Sequence, residues 1–297
     1  MKRIISGVLY ELRLFFTALQ FFTRVPVPAW VGFEPDWLHR CVRYFPVVGA
    51  LVGLWGAAVL ACSSLLWPPA VAVLLSMAAT VWMTGGFHED GWADTCDGLG
   101  GAVSKSRALE IMKDSRLGSY GGLGLILILM LKAIVLTAIL APLLSEMSEA
   151  ETSHVHQVLL GWTAMAVVWA HAVSRLAPVV LTAVLPYGGD PEHAKAKPLA
   201  MRVGLVQLFV AIVLTAAVAA LLIVLLAWAG WPVPTLWRCL GWSSVGAALT
   251  TVFCFRWFAT RLGGFTGDTL GASQQLAEVA ALMGWLAVVH PVTWVQW

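Results

Sequence analysis

Apolar and polar positions alternate along this chain in long blocks. Seven apolar runs lie at about 46–66, 70–86, 121–143, 157–185, 205–229, 242–260 and 274–296. Each is near the roughly 20 residues that an α-helix needs to cross the hydrocarbon core of a bilayer. We therefore predict an all-α fold, a polytopic transmembrane helical bundle of about seven spans. Residues 1–297 would form a single integral membrane domain.

The N-terminal stretch follows a different pattern. Apolar side chains recur there at helical spacing, but Glu11 and Arg13 interrupt the part where a cleavable signal peptide would keep an unbroken apolar core. This pattern is typical of an amphipathic helix that lies on a membrane surface. We predict an interfacial helix over residues 4–24, which Pro26 and Pro28 end.

The composition agrees with a membrane protein. Hydrophobic residues make up 60% of the chain and charged residues 11%, and the mean hydropathy is +0.83. An ordinary soluble domain is excluded by these values. The net charge of +2 gives no sign of a nucleic-acid partner. The five cysteines are scattered without a Cys-x-x-Cys pair, which favours neither a disulfide framework nor a zinc site.

The basic residues are unevenly distributed between the loops that seven spans would create. Most of the 18 Lys and Arg residues fall on one side, whereas the opposite side holds Arg238. Basic loops stay in the cytoplasm, so we expect a cytoplasmic N-terminus and an external C-terminus in the cytoplasmic (inner) membrane. Two acidic segments, 84–120 and 261–273, would then be cytoplasmic loops, and we expect the active site on that face.

The segment 84–120 contains a dense cluster of acids. No Lys or Arg interrupts the nine residues that hold Glu89, Asp90, Asp94 and Asp97. If the segment is helical, the three aspartates at i, i+4 and i+7 share one face. Such close carboxylates repel each other, and a divalent cation would relieve the repulsion. Carboxylate ligands favour Mg²⁺ or Mn²⁺. The alternative is a solvated acidic loop beside the membrane.

Two further features lie on the same predicted side. The Gly-rich turn 263–272 contains Asp268, which would complete the metal site unless the turn is an ordinary loop. Lys113 and Arg116 lie close to a Gly-rich run before the third span. Cations and backbone amides are what polyphosphate oxygens require. A flank that obeys the positive-inside rule would also be basic here, so that explanation stays open.

Two cations fall inside apolar runs, where a charge at the bilayer centre costs roughly 2.5–3.5 kcal/mol on insertion scales. Lys132 lies deep enough in its run to face the interior of the bundle. Arg175 would either reach an anionic group near the cytoplasmic end or extend its charged group to the interface. Glu278 and His290, in the last run, are interpreted as a helix-end acid and an interfacial histidine without a function.

Three motifs resemble those of one enzyme family. They are Phe87-His88-Glu89-Asp90-Gly91-x-Ala93-Asp94-Thr95-x-Asp97-Gly98-Leu99-Gly100-Gly101, Leu109-Glu110-Ile111-Met112-Lys113-Asp114-Ser115-Arg116-x-Gly118 and Gly267-Asp268-Thr269-Leu270-Gly271-Ala272. Together with Phe21-x-Thr23-Arg24-x-Pro26, they give the chain a resemblance to the cobalamin synthase family, also called adenosylcobinamide-GDP ribazoletransferase. The resemblance runs from about residue 15 to about residue 285.

The resemblance implies a Mg²⁺-dependent reaction at the membrane. Adenosylcobinamide-GDP would be joined to α-ribazole or its 5′-phosphate, and GMP would leave. The metal ligands would be Asp90, Asp94 and Asp97, with Glu89 or Asp268. Phosphate oxygens would bind Arg116 and Lys113, with Arg175 and Lys132 as further candidates. The proton acceptor would be His88 or one of the carboxylates, Glu89 and Asp90 among them. A homo-oligomer, or association with other enzymes of corrinoid synthesis, stays open.

Two alternatives come from other classes. Asp94-Thr95-Cys96-Asp97-Gly98 carries the Asp-x-x-Asp-Gly opening of CDP-alcohol phosphotransferases, but the rest of that pattern is not met. A cation-coupled transporter would also use acidic residues in a membrane protein. Its acids would line a path at the bilayer midplane, whereas those of this chain cluster in predicted cytoplasmic loops.

Overall fold

The computed structural model describes residues 2–101, 104–140, 149–189 and 203–289. In these ranges the secondary structure is helical, apart from one isolated bridge between Tyr187 and Phe265. The predicted all-α class is therefore confirmed for the described residues. The helices are α1 (Lys2–Phe22), α2 (Trp37–Cys41), α3 (Phe45–Ser64), α4 (Pro69–Thr84), α5 (Phe87–Gly101), α6 (Lys105–Lys113), α7 (Ser119–Leu140), α8 (Glu149–Ser174), α9 (Leu176–Val184), α10 (Leu205–Trp228), α11 (Val233–Leu262) and α12 (Gly267–Val289).

Several of these helices are suited to crossing a membrane. In the described ranges, five segments are long and apolar enough, namely Trp37–Ser64, Ser119–Leu140, Leu160–Val184, Leu205–Trp228 and Gly267–Val289. A sixth is gained if α4 and α5 count as one bent span. α11, which covers the predicted run 242–260, is not among them, and it carries Arg238 and Arg256. The protein is thus a multi-pass helical bundle, and the count of seven stays a prediction.

One end of the bundle brings the two acidic segments together. α4 and α11 end there, and α7 and α12 begin there. Gly91 of α5 lies against Gly271 of α12, and Asp97 of α5 accepts hydrogen bonds from the start of α7. At the same end the N–H of Arg24 donates to the carbonyl of Met83 over 2.9 Å. We refer to this end of the bundle as the α5 end.

A sharp bend at Gly85 and Gly86 directs α5 across the α5 end. Both residues have positive φ, +70° and +72°, a backbone region that residues other than Gly rarely adopt. The axes of α4 and α5 meet at 89°. A Cβ on Gly85 would lie 3.0 Å from Nε of Arg24, so the bend is also packed closely by that side chain. The Gly-Gly pair therefore sets the direction of the acidic helix.

The predicted run 157–185 is broken at Arg175. α8 ends at Ser174 and α9 begins at Leu176. The cause is Pro178, which has no N–H to donate to the carbonyl of Ser174 and whose ring would clash with that carbonyl in a continuous helix. The break places Arg175 at a helix junction inside the bundle, where its side chain is 1% exposed.

α12 is the central helix of the bundle. It packs against α5, α7, α8, α9 and α11. Small residues allow this close packing: a Cβ on Gly246 of α11 would lie 2.5 Å from the carbonyl oxygen of Ala280. Nearby, the Ser243 hydroxyl donates to the carbonyl of Ala281 over 2.7 Å. Because neighbours surround α12, polar side chains in its middle must find partners inside the bundle.

The N-terminal helix is confirmed as α1, and it is not among the candidate spans. Leu14 and Phe22 are buried against α2 and α3, whereas Val8 and Leu12 are exposed. Glu11 faces this junction and accepts a hydrogen bond from the Tyr44 hydroxyl over 2.7 Å. The apolar exposed face fits an interfacial helix, and its position on the membrane stays a prediction.

Candidate active site

The acidic motif forms helix α5 instead of an extended loop. Most of the segment 84–120 is helical, in α5, α6 and the first residues of α7. Asp90, Asp94 and Asp97 therefore have the helical i, i+4 and i+7 spacing that places them on one face. Asp90 is exposed, and Asp94 and Asp97 are half-buried. The sequence interpretation depended on this helix, and the condition is met.

The second acidic turn packs directly against α5. A Cβ on Gly91 would lie 2.8 Å from the carbonyl oxygen of Asp268 and 3.2 Å from the Cα of Gly271. Only glycine at position 91 permits this approach without displacing the start of α12. Asp268 therefore lies beside the residue that follows Asp90, and its side chain is half-buried. The fold thus brings together two acidic segments that are far apart in the sequence.

Asp97 has a partner that the sequence interpretation did not foresee. Its two carboxylate oxygens accept hydrogen bonds from the backbone N–H groups of Gly118 and Gly121, each over 2.8 Å. These N–H groups belong to the start of α7, where a helix leaves donors unsatisfied and favours a negative charge. A Cβ at either glycine would collide with the carboxylate. Asp97 thus anchors α7 to α5, and this bonding competes with the predicted role as a metal ligand.

The carboxylates can be tested as ligands for the implied Mg²⁺. In the described ranges, no group of three His, Cys, Asp or Glu side chains is placed to hold a metal ion. Mg²⁺ usually keeps several waters and binds one or two carboxylates together with substrate phosphates. Asp90 and Asp94, one helical turn apart on the accessible face of α5, supply such a pair of hard oxygen ligands. The donor chemistry therefore fits a site completed by substrate.

His88 and Glu89, in the first turn of α5, contact the bundle. The His88 side chain is 3% exposed, and its ring stacks on Phe22 with 5.2 Å between the centroids. Glu89 is half-buried, and its Oε1 accepts a hydrogen bond from Nε2 of Gln275 over 3.0 Å. The two residues are neighbours of the exposed Asp90 in the sequence but contact α1 and α12. The structure thus turns both side chains toward the bundle, with His88 buried and Glu89 only half-buried.

The predicted phosphate-binding cations lie after α5. Lys113 is the exposed last residue of α6. Arg116 is also exposed, and its Nε lies 3.0 Å from Oδ1 of Asp114. The guanidinium and backbone N–H of Arg116 hold the pKa of Asp114 at about 2, below its ordinary value of 3.8. Two residues later, Gly118 bonds Asp97, so this basic turn is tied to the acidic helix.

The cations in the apolar runs are buried instead. Lys132, 4% exposed, forms an ion pair with Glu278, which is 1% exposed. Nδ1 of His171 lies 3.2 Å from Oε2 of Glu278, and Nη1 of Arg175 donates to the carbonyl of His171 over 2.8 Å. The interior position expected for Lys132 is confirmed. Burial excludes an interfacial position for the charged group of Arg175. Contact of Lys132 or Arg175 with substrate stays a prediction.

The interpretation of Glu278 was wrong. This residue lies well inside α12 and is a buried partner of Lys132, not a helix-end acid. His290 lies outside the described residues. Sequence reasoning also missed Gln274 and Gln275, which are 0% and 2% exposed. The available signal was a pair of adjacent amides in a strongly apolar run, where buried polar groups need hydrogen-bond partners.

Comparisons with known proteins agree with the motifs. The family model described as Cobalamin-5-phosphate synthase matches residues 14–286. A protein of Leptothrix cholodnii named adenosylcobinamide-GDP ribazoletransferase is 53% identical over 96% of this chain and 98% of its own length. Proteins with the same name from Shewanella piezotolerans, 40% identical over 96% and 98%, and from a Polaromonas strain, 41% identical over 92% and 95%, also match. No solved structure matches this chain.

These matches separate the family resemblance from its two alternatives, a CDP-alcohol phosphotransferase and a cation-coupled transporter. The matched region begins in α1 and ends in α12, so it includes both acidic segments and the buried ion pair. The shared length also exceeds what a single motif would give. The chain therefore belongs to the cobalamin-5-phosphate synthase family.

Proposed function

We propose that this protein joins adenosylcobinamide-GDP to α-ribazole or its 5′-phosphate and releases GMP. The observation that carries the proposal is the meeting of the two acidic motifs at Gly91 and Gly271, in a chain whose relatives bear the name of that activity. Membership of a family with these motifs supports the substrates. The accessible carboxylates beside an exposed basic turn support chemistry on phosphates.

The residues proposed to hold Mg²⁺ are Asp90 and Asp94, with Asp268 or Glu89 as a further ligand. A bound Mg²⁺ would neutralise charge on the diphosphate and on the leaving phosphate. Asp90 is exposed and Asp94 half-buried, which suits carboxylates that also meet a substrate phosphate. Asp97 is left out of this set, because both of its oxygens accept backbone hydrogen bonds that anchor α7.

The proposed transfer is a substitution at phosphorus. A ribose hydroxyl of ribazole attacks the phosphorus on the cobinamide side of the diphosphate, a new P–O bond forms, and the P–O bond to GMP breaks. A carboxylate of the chain takes the hydroxyl proton. The burial of His88 against Phe22 favours a carboxylate over His88 as the acceptor, since a proton acceptor must come within hydrogen-bond reach of the attacking group.

Arg116 and Lys113 are proposed to bind non-bridging phosphate oxygens. Arg116 is exposed and is held by Asp114, a neighbour within the same turn. The diphosphate of the substrate carries two negative charges in total, and its oxygens compete with one carboxylate for a guanidinium. Binding would therefore transfer Arg116 from Asp114 to the substrate. Because Gly118 of this turn is bonded to Asp97, the arginine stays near α5 throughout.

The reaction is proposed to take place at the cytoplasmic face of the inner membrane. The α5 end carries the basic residues Arg24, Lys105, Lys113, Arg116 and Arg261 near the ends of α1, α4, α6 and α11. A basic end is retained in the cytoplasm. Seven crossings, with α4 and α11 counted as spans, would put the N-terminus and the α5 end on that side.

The test is an assay of purified protein in detergent or nanodiscs. Adenosylcobinamide-GDP and α-ribazole 5′-phosphate are supplied with Mg²⁺ or with a chelator, and the corrinoid product and GMP are measured by mass spectrometry. Equal amounts of cobalamin phosphate and GMP, formed only with Mg²⁺, are the expected result. Monodisperse protein that forms neither product would contradict the proposed function.

A further inference from the structure

A chain of hydrogen bonds links the acidic motif to the buried Lys132–Glu278 pair. Nε2 of Gln275 donates to Oε1 of Glu89 and to Oε1 of Gln274, each over 3.0 Å. Nε2 of Gln274 in turn donates to Oε2 of Glu278 over 2.6 Å. We call Gln274 and Gln275 the glutamine bridge. It connects the first turn of α5 with the middle of α12.

The orientation of both amides is fixed by what they contact. An ionised carboxylate at each end of the bridge only accepts hydrogen bonds, so the amide nitrogens face Glu89 and Glu278. The second N–H of Gln274 donates to the hydroxyl of Ser174 over 3.0 Å. The second N–H of Gln275 is used within the bridge. Every amide donor of the bridge therefore has a partner.

Burial makes this arrangement costly to change. Gln274 and Gln275 are 0% and 2% exposed, and a buried amide without partners costs about 1–3 kcal/mol. Rotating either amide would break the two hydrogen bonds that its nitrogen donates. The bridge therefore restrains Glu89 through one oxygen. The other oxygen, Oε2, is buried and accepts no hydrogen bond from any residue that the structure describes.

We propose that Gln275 is a positioning residue that fixes the orientation of the Glu89 carboxylate for the transfer reaction. Gln275 holds Oε1, which leaves Oε2 for the reacting groups, either as the proton acceptor or as a metal ligand. Gln274 extends this support to Glu278 and Lys132 in the interior. This inference rests on the proposed function, and it assigns a role to a residue outside the three sequence motifs.

A substitution that keeps the volume and removes the donors tests the role. Gln275→Met should lower kcat by about 10-fold to 100-fold, because a small misplacement of a reacting group costs up to that factor. KM should stay within about 2-fold, since Gln275 is buried and is proposed to act through Glu89. Unchanged kcat in a folded Gln275→Met enzyme would overturn the proposal.

A double-mutant cycle separates positioning from general support of the fold. Glu89→Gln alone should lower kcat strongly, and adding Gln275→Met to it should cause no further loss, because Gln275 acts through the Glu89 carboxylate. A merely structural role predicts that the two losses multiply. Multiplied losses, or a fully active Glu89→Gln enzyme, would both overturn the proposal.

The control is Ser243→Ala, which also removes a buried hydrogen bond of α12, the one to Ala281. It should leave kcat within about 2-fold, and a loss as large as that of Gln275→Met would assign the effect to packing of α12. If Gln275→Met does not fold, Gln275→Asn retains a buried amide that is too short to reach Glu89. It should show the same loss of kcat, and wild-type turnover would overturn the proposal.

Thermal unfolding tests the same cycle without depending on activity. The proteins compared are the wild type, Gln275→Met, Glu89→Gln and the double variant. Coupling between Gln275→Met and Glu89→Gln is expected, because the two side chains share a hydrogen bond. Additive effects on unfolding would refute that bond. The variants could show this coupling while the wild-type protein unfolds cooperatively but makes no cobalamin phosphate. That result would instead count against the proposed function.

Discussion

Charged side chains occupy two regions of this chain, one accessible and one buried. Asp90 and Asp94 lie on the accessible face of α5 without forming a closed group of ligands in the described part of the chain. Lys132 and Glu278 lie in the interior, paired with each other. A buried charge must be neutralised by the protein itself, whereas a carboxylate on an accessible face can be reached by a ligand. The first region is therefore suited to chemistry and the second to holding the helices.

The largest effect should come from breaking the buried pair. Glu278→Gln leaves the Lys132 ammonium without a carboxylate, and removal of one partner of a buried pair costs about 3–5 kcal/mol. We expect a sharp fall in the yield of folded protein and in the thermal midpoint. The double variant Lys132→Met with Glu278→Leu should recover part of the stability, because it removes the unpaired charge but leaves Gln274 and His171 without their acceptor. Lys113→Met, at an exposed site, is the matched control and should not change the midpoint.

A substitution on the accessible face of α5 should lower turnover and leave stability unchanged, unlike a substitution in the buried pair. Asp94→Asn should reduce turnover by at least about 100-fold while the thermal midpoint stays near that of the wild type, because the lost charge acts on substrate and metal. Turnover and unfolding are measured on the same preparation. Near-normal turnover of the folded variant would remove Asp94 from the proposed metal site.

A smaller effect is expected where the two acidic segments meet. Gly91→Ala places a methyl group 2.8 Å from the carbonyl of Asp268, and such overpacking costs about 1–3 kcal/mol. We expect a lower thermal midpoint together with lower turnover, since Asp268 would move away from Asp90. Gly241→Ala is the control, because a Cβ there meets nothing within 4 Å. Equal effects of the two variants would contradict the close approach.

The smallest effect concerns pH. The pKa of Asp114 is lowered to about 2, first by its hydrogen bonds with Arg116, so the ionised form is the one that stabilises the fold. This contribution is complete above the ordinary pKa of 3.8 and is lost as the pH falls toward 2. The midpoint of the wild type should slightly exceed that of Asp114→Asn at neutral pH. The difference between the two midpoints should shrink in acid. A difference that grows in acid would contradict the lowered pKa of Asp114.

Local patterns were enough for much of this molecule. The apolar runs predicted the helical bundle. The i, i+4 and i+7 spacing predicted that three aspartates share one face of a helix, and α5 is helical over these residues. The same patterns failed at Glu278. The residue was interpreted as a helix-end acid, whereas α12 runs from Gly267 to Val289 at the centre of the bundle and holds Glu278 well inside it.

The sequence by itself determined the membrane class and the family, because composition and short motifs express local chemistry, and it proposed which residues bind metal and phosphate. Only the tertiary structure decided that Asp97 anchors α7, that Lys132 pairs with Glu278 and that Gln275 reaches Glu89. Each of these contacts joins residues from different helices. The period of a helix tells which side of it is apolar, but the choice of partner depends on how closely neighbouring backbones approach, which small residues such as Gly91 and Gly271 set.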